Sequence, residues 1–441
     1  MNQSETAVLE GLARERGFKV VDFNAPADIA VINSCTVTER GDSDARSAIR
    51  RAARANPDVR VALIGCQAQV QKDKLLGLPN VSWVIGTAKK MELLDIVSSD
   101  VGGRTSEGSS DVPGLSARTG RHPASDEFKS LIVPRIHRKP FILPLTRQIG
   151  SRTRANLKIQ DGCDNFCAYC EIPFARGRSR SRDFDNLLAE GRALAAAGHK
   201  EVVLTGVNIA DYQDHGRNLL DVVRSLEKVE GIVRIRISSI EDEVLAMDLT
   251  RFMQSPHKLC RFLHIPLQSG CDRILRRMGR KRLTKDMGML IRKICRKVPG
   301  IMLGTDIIVG FPGETDEDFG QTLQFLQELP IHYCHVFSYS HRHRSRSRMF
   351  KGEVPPKVIA RRSRALRALG EEKHAAFLRT LLGAPQQVLF EQVKNDFWIG
   401  HTDNYVTIKT TSEKDLVNTF ADVVPVAVEG RSLVGRMCRE G

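Results

Sequence analysis

Cys163-Asp164-Asn165-Phe166-Cys167-Ala168-Tyr169-Cys170 sets three thiols at spacings of four and three. A short loop with that spacing can turn all three toward one metal centre. Structural zinc sites close with four ligands, typically as paired knuckles, and no second knuckle follows here. Iron–sulfur clusters are likewise usually held by four thiolates. Three local thiols would leave one iron open, as a site for a small molecule requires. Ordinary half-buried cysteines seldom cluster this way without a metal. The run just before the loop, 157–159, reads as a strand, so the loop follows a strand end directly.

Working outward, the stretch from Asn156 to about Ser340 alternates strand and helix six times. The expected strands are 157–159, 201–204, 232–237, 261–265, 302–309 and 333–337. Amphipathic helices separate them. One opens on Thr315 with Asp318 three residues on, a capping pair, and carries Phe319, Leu323 and Leu326 on one face. Gly198 ends the first helix ahead of its strand. Repeated βα units mean a parallel sheet, and six of them suit an open or partial barrel better than a closed ring of eight. The cysteine loop then lies at the ligand-binding end of that barrel.

The first hundred residues also alternate in the α/β manner. A helix is expected over 5–16, stopped at Gly17, then a buried strand over 28–33 and a helix over 39–55 that ends before Pro57. A strand over 59–65 follows, with another helix beginning near Val70. Cys35 and Cys66 each fall just past a strand, where ligands gather in open α/β sheets. They are either a second metal site or two unrelated core cysteines. The chain opens on a helix, without a strand ahead of it. From about Ser98 to Ser125 the sequence is linker material, rich in Gly and Ser. A basic lead-in follows (Arg135, His137, Arg138, Lys139, Arg147, Arg152, Arg154). Beyond a helix over 357–382, short alternating stretches at 386–392, 397–399, 405–409 and 423–428 predict a small β-barrel. That shape often binds nucleic acid, though a dimerisation or stability module fits the same pattern.

Composition narrows the class. At 441 residues, about three domains are expected from roughly 150 residues each. The 67 Lys and Arg outnumber 52 Asp and Glu, a net charge of +15 that points to a polyanion, nucleic acid first. Met1 to Glu10 shows no basic segment followed by an apolar one, so no signal peptide is expected there. No run of about eighteen apolar residues predicts a membrane span. Ten cysteines without a secretion signal argue for a reducing, cytoplasmic setting.

The string LKIQDGCDNFCAYCEIPFARGRSRSR, residues 157–182, resembles the methylthiotransferases of the radical S-adenosylmethionine (SAM) superfamily. The resemblance implies an N-terminal α/β cluster domain over 1–98, a linker and basic lead-in over 99–148, a partial (β/α)6 radical-SAM barrel over 149–378, and a C-terminal all-β TRAM barrel for RNA over 379–440. It makes Cys163, Cys167 and Cys170 the ligands of a 4Fe–4S cluster whose open iron takes SAM. One electron then breaks the sulfonium bond, and the 5′-deoxyadenosyl radical abstracts hydrogen. Tyr169 is expected against the cluster or the adenine. Gly206 and Asn208 after the second strand, Ser239 and Glu241 after the third, and Gln268 after the fourth are expected around SAM.

In the same family the N-terminal domain carries an auxiliary 4Fe–4S cluster that takes part in sulfur insertion. Cys35 and Cys66 match two of its three ligand positions. The third falls in a Gly-Cys pair just ahead of the position of Asn2-Gln3, so the reading frame is expected to extend upstream of Met1. Were Met1 the true start, an RNA-binding iron–sulfur protein without sulfur insertion would be the alternative. Gly-Val-Asn-Ile at 206–209 and Gly-His-Thr-Asp-Asn-Tyr at 400–405 resemble the subgroup acting on threonylcarbamoyladenosine in tRNA. The neighbouring subgroups take isopentenyladenosine or a ribosomal-protein aspartate. The expected partners are tRNA and an electron donor such as a flavodoxin or ferredoxin, with the protein itself a monomer. From Arg273 to Lys297 eleven basic residues face one acid, Asp286, and Arg176, Arg178, Arg180 and Arg182 follow the cluster loop. These are expected phosphate contacts. The run His341–Arg348 departs from the family pattern, as added RNA contacts or a mobile loop.

Overall fold

The computed structural model describes residues 2–35, 39–102, 129–145 and 153–438. Thr36–Thr38, the Gly-Ser-rich stretch at 103–110, Arg147 and Arg152 lie outside them. Four parallel strands, β1 (Ile29–Ser34), β2 (Arg60–Gly65), β3 (Val81–Gly86) and β4 (Ser130–Ile132), pair in that order. The helix Asn2–Glu15 puts Leu9 against Ile64, Trp83 and Ile85 on one face, while Glu39–Ala55 covers Val61, Leu63 and Val84 on the other. Strand β3 was missed in the sequence reading, and β4 was expected only as regular structure resuming near Leu131. Trp83, Val84 and Ile85 form a continuous apolar run without alternation, although Pro79-Asn80 before it and Gly86 after it mark its ends. The helix Leu93–Gly102 runs on past residue 98, and β4 lies inside the stretch read as linker and lead-in.

The next region opens with β5 (Arg154–Lys158), followed by a short antiparallel pair, β6 (Gln160–Asp161) and β7 (Arg180–Ser181), that ties off the cysteine loop. Then come β8 (Glu201–Thr205), β9 (Arg234–Ile237), β10 (Phe262–His264), β11 (Met302–Val309) and β12 (Tyr333–Ser338). Strands β5-β8-β9 and β10-β11-β12 form two parallel sheets, joined by parallel bridges Ile235–Leu259 and Ser239–His264. These are the six expected units, and their order along the chain is their order in space. Ala197 caps the helix Phe184–Ala196, and Gly198 follows it at φ +91°. The Thr315–Asp318 capping box forms reciprocally.

Strand alternation gives the barrel two unlike faces. Leu204, Ile235, Leu263, Leu303 and Ile307 pack on the helices. Phe262, Met302 and Tyr333 point the opposite way, into the core of the C-terminal unit. That unit is a closed barrel of β13 (Gln386–Lys394), β14 (Phe397–Thr402), β15 (Thr407–Thr410), β16 (Phe420–Glu429) and β17 (Ser432–Met437). The sequence reading missed β17 and began β15 too early, because Tyr405 stands in a turn at φ +68°. The 401–405 turn is pinned by arginines of the larger barrel. Arg236 pairs with Glu201 at 2.7 Å, and both are buried. It also donates to the carbonyls of Thr402 and Asp403. Arg234 donates to the His401 carbonyl, and Arg261 pairs with Asp403 at 2.6 Å.

Removing one member of a buried ion pair costs about 3–5 kcal/mol. Arg236→Met is therefore expected to lower stability by that amount in urea unfolding and to speed proteolytic release of the C-terminal barrel. Unchanged release would show that the docking does not depend on this pair.

Candidate metal centre

The cysteine loop is fixed at both ends by backbone. Cys163 donates its N–H to the Gly177 carbonyl, and Ala168 donates to Met278. Gly162 sits at φ +74°, and a Cβ there would run into the Arg178 carbonyl, so this position needs glycine. Phe166 also adopts a left-handed φ of +47°. Cys163, Cys167 and Cys170 are all free thiols. Burial pushes the Cys163 thiol up to about 11 and Cys170 up to about 12, with the neighbouring sulfurs adding to both. Thiols this hard to ionise alone are those a metal must deprotonate. The three thiols of the loop, with one coordination position over, fit a cluster with an open iron.

The strand ends around this loop meet it unequally. Glu241 lies against it: Asn165 Nδ2 donates to Glu241 Oε2 at 3.1 Å, and Arg280 reaches both Glu241 oxygens and, at 3.8 Å, Cys167 Sγ. Tyr169 packs beside Ala168, Cys271 and Phe311, and burial pushes its hydroxyl pKa well up. Gly206 and Asn208 are positioned by Gln160, whose Oε1 accepts the N–H groups of Val207 and Asn208 at 2.9 Å each. The Asn208 Oδ1 is buried without a hydrogen bond. Ser239 bridges to His264, and Gln268 bridges to Ile307 at φ +70°, one strand further round. Gln160 and Arg280 escaped the sequence reading. The first looks like a strand residue, and the second is one of eleven basic side chains in a run.

Two models of known families match the chain: the radical SAM superfamily over residues 157–326, and an uncharacterised protein family, UPF0004, over 1–86. The chain is 33% identical over 431 residues to the threonylcarbamoyladenosine tRNA methylthiotransferase MtaB of Bacillus subtilis, covering 96% of this chain and 91% of that one. The MtaB of Aquifex aeolicus is 34% identical, covering 94% and 95%. This chain belongs to the radical SAM methylthiotransferases. A tRNA-2-methylthio-N(6)-dimethylallyladenosine synthase of Cereibacter sphaeroides is 30% identical, covering 95% and 92%. Among solved structures, the radical SAM methyltransferase TsrM of Kitasatospora setae superposes with TM-score 0.53 at 17% identity, over 75% of this chain and 69% of that one, which speaks for the fold.

In this methylthiotransferase one of the second pair of thiols lies against the helix that follows the first site. Cys66 opens the helix Cys66–Gln71 and packs on Ala175, in the helix Ile172–Arg176 that follows the cysteine loop. The expected helix start near Val70 was thus four residues late. Burial raises the Cys66 pKa, Arg176 and Lys90 oppose that, and Cys35 is close enough to add its own charge. Around the pair is a buried ionic cluster. Glu5 Oε1 is met by Lys90 at 2.5 Å, Lys158 at 2.6 Å and Arg176 at 3.2 Å. Asp161 is met by Lys158 at 2.6 Å, Arg176 at 3.2 Å and Arg180 at 3.3 Å. Among the five most buried members, three cations (Lys90, Lys158, Arg176) face two carboxylates. The surplus positive charge suits thiolates or an anionic cluster.

This overturns one expectation. Arg176 and Arg182 are fully buried, Arg182 pairing with Glu190, and Arg180 is turned onto Asp161, so of the four only Arg178 is exposed. Within 273–297, Arg273 pairs with Asp318, Arg280 with Glu241 and Arg282 with Asp242. Lys285, Arg292, Lys293 and Arg296 stay exposed. The 341–348 run is docked on the cysteine loop: Arg344 N–H donates to Glu171 and Ser347 N–H to Ala168. It lines a cavity of about 250 Å³ with Asp42, Gln71 and Glu171.

Burial raises the Glu5 carboxyl, but its three cations outweigh that and hold it well below the ordinary range. Its stabilisation is present above the unfolded carboxylate pKa and is lost as pH falls through the folded value. Glu5→Gln is expected to cost about 3–5 kcal/mol at neutral pH, measured by urea unfolding, and to flatten the acid limb of the stability profile.

Proposed function

We propose that this protein transfers a methylthio group to carbon 2 of threonylcarbamoyladenosine in tRNA. The observation that carries the reading is the near full-length identity to relatives of that name, joined to a three-thiol loop at a strand end. Cys163, Cys167 and Cys170 would hold a 4Fe–4S cluster. When bound, that cluster supplies the electron that cleaves SAM, and the protein's share is ligation, orientation and exclusion of water. Glu241, fixed by Asn165 and Arg280, would serve with Ser239 the ribose and carboxylate end of SAM, and the 204–208 strand end its amino group. Asn208, Ser239 and Gln268 line the neighbouring strand ends, with Gly206 allowing close backbone approach. Tyr169 walls the site.

Cys35 and Cys66 would supply thiolates to an auxiliary cluster, seated against the buried cations Lys90 and Arg176. The N-terminal α/β unit, the barrel and the C-terminal β-barrel act as auxiliary-cluster, radical-SAM and TRAM-like RNA modules. The exposed basic helix Thr284–Lys297 gives tRNA phosphates a surface, and a loop base can be splayed out to reach the barrel. No described helix is long and apolar enough to cross a membrane. A cytoplasmic monomer reduced by a flavodoxin or ferredoxin completes the proposal.

Mass spectrometry of tRNA nucleosides from a deletion strain tests the substrate. Methylthio-threonylcarbamoyladenosine should vanish, return with the wild-type gene, and stay absent with Cys167→Ala. Its persistence in the deletion strain would overturn the assignment, and loss of the isopentenyl form instead would move the protein to the neighbouring subgroup. Anaerobic reconstitution should give about eight irons per chain, falling to about four in Cys66→Ala. Four in both would remove the auxiliary cluster from the proposal.

A further inference from the structure

The barrel face that turns away from the helices carries a second group of ligand-type side chains. His264 on β10, Asp306 on β11 and His335 on β12 come from three consecutive parallel strands. Asp306 and His335 stand directly opposite each other, and His264 is opposite Gly304. Gly304 matters because it has no side chain: a Cβ there would enter the Tyr333 ring. Tyr333 therefore lies across Gly304, and its hydroxyl meets His264 Nδ1 at 2.9 Å. That contact fixes the ring and aims Nε2 at Asp306. It is the kind of outer partner that metal-bound histidines carry.

The spacing of the donor atoms is the second observation. Asp306 Oδ1 lies 3.0 Å from His264 Nε2 and 3.3 Å from His335 Nδ1, and all three atoms fall within 4.8 Å of one another. Bonds of roughly 2.0–2.1 Å to one ion give ligand–ligand edges of about 3.0 to 3.4 Å in octahedral or tetrahedral geometry. The same distances fit an ion pair when the imidazoles are protonated, and they fit a shared ion when both are neutral; the convergence of two imidazole nitrogens and one carboxylate oxygen from three strands is what favours the ion.

We propose that His264, Asp306 and His335 bind one divalent transition-metal ion, of the zinc or ferrous class, in the barrel interior. Two imidazoles and one carboxylate suit such ions, whereas calcium and magnesium prefer all-oxygen shells. His264 is buried, Asp306 is half-buried and the His335 ring is 56% exposed. One side of the ion thus stays open, as three-ligand sites require. The site shares no residue with either thiol group and is independent of the substrate assigned above.

The test uses the cluster-loaded full chain, dialysed anaerobically against Zn2+, with bound metal counted by mass spectrometry. Wild type should hold about one zinc per chain more than His335→Gln or Asp306→Asn, at unchanged iron content. Zinc X-ray absorption should show nitrogen and oxygen at about 2.0 Å and no sulfur. Tyr333→Phe, which keeps the ring and removes the outer partner, should weaken zinc binding by about 10- to 100-fold. Equal zinc in wild type and His335→Gln, or a sulfur shell around the ion, would overturn the site. Because His335 is exposed, a folding defect in His335→Gln is not expected, and unchanged iron content checks this directly.

Discussion

One buried carboxylate oxygen, Glu5 Oε1, gathers three cations where the N-terminal unit meets the barrel. Its three cations come from three places: Lys90 from the N-terminal unit itself, Lys158 from the first barrel strand, and Arg176 from the helix after the cysteine loop. Each of these charges is buried, and taking charges out of water costs several kcal/mol apiece. The cost is offset only while all partners are in place. The opening helix, the β5 strand and the cysteine loop are therefore locked into one relative position. The two thiol groups inherit that position, since Cys66 packs on Ala175, one residue from Arg176.

The same cluster shows how a basic sequence is divided between inside and outside. Arg176 and Arg182 look like surface charge when read along the chain, yet both are internal. Arg234 and Arg236 likewise turn inward, toward the C-terminal barrel. What remains for a polyanion is a smaller set, which includes Lys285, Arg292, Lys293 and Arg296 on the exposed side of Thr284–Lys297. A net charge of +15 was thus a fair guide to the class of partner and a poor guide to which residues meet it.

What could be read from the sequence followed from local chemistry. The six barrel strands, the Thr315 cap and the three-thiol loop each depend on neighbours within a few residues, and each was legible. Strands β3 and β4 were not, because a continuous buried run or a three-residue strand has no periodicity to read, whereas β17 alternates in burial and was readable but missed. Within the site, Glu241 was legible from its place after a strand. Gln160, Arg280 and Glu5 were not, since each owes its role to partners 39 to 171 residues away. The RNA reading of Arg176 failed for the same reason. Only the fold reveals that Glu5 and Asp161 claim it.

The docking of the 401–405 turn has a consequence for how the chain is made. Synthesis runs from the N-terminus, and domains generally fold as units while it proceeds. Here the inner face of the barrel, with Phe262, Tyr333 and the Arg236–Glu201 pair, is covered by residues that leave the ribosome well after the barrel strands do. Until then, the barrel's interior stays open to water at the end away from the cysteine loop. A chain halted before the 401–405 turn therefore exposes an unfinished interior.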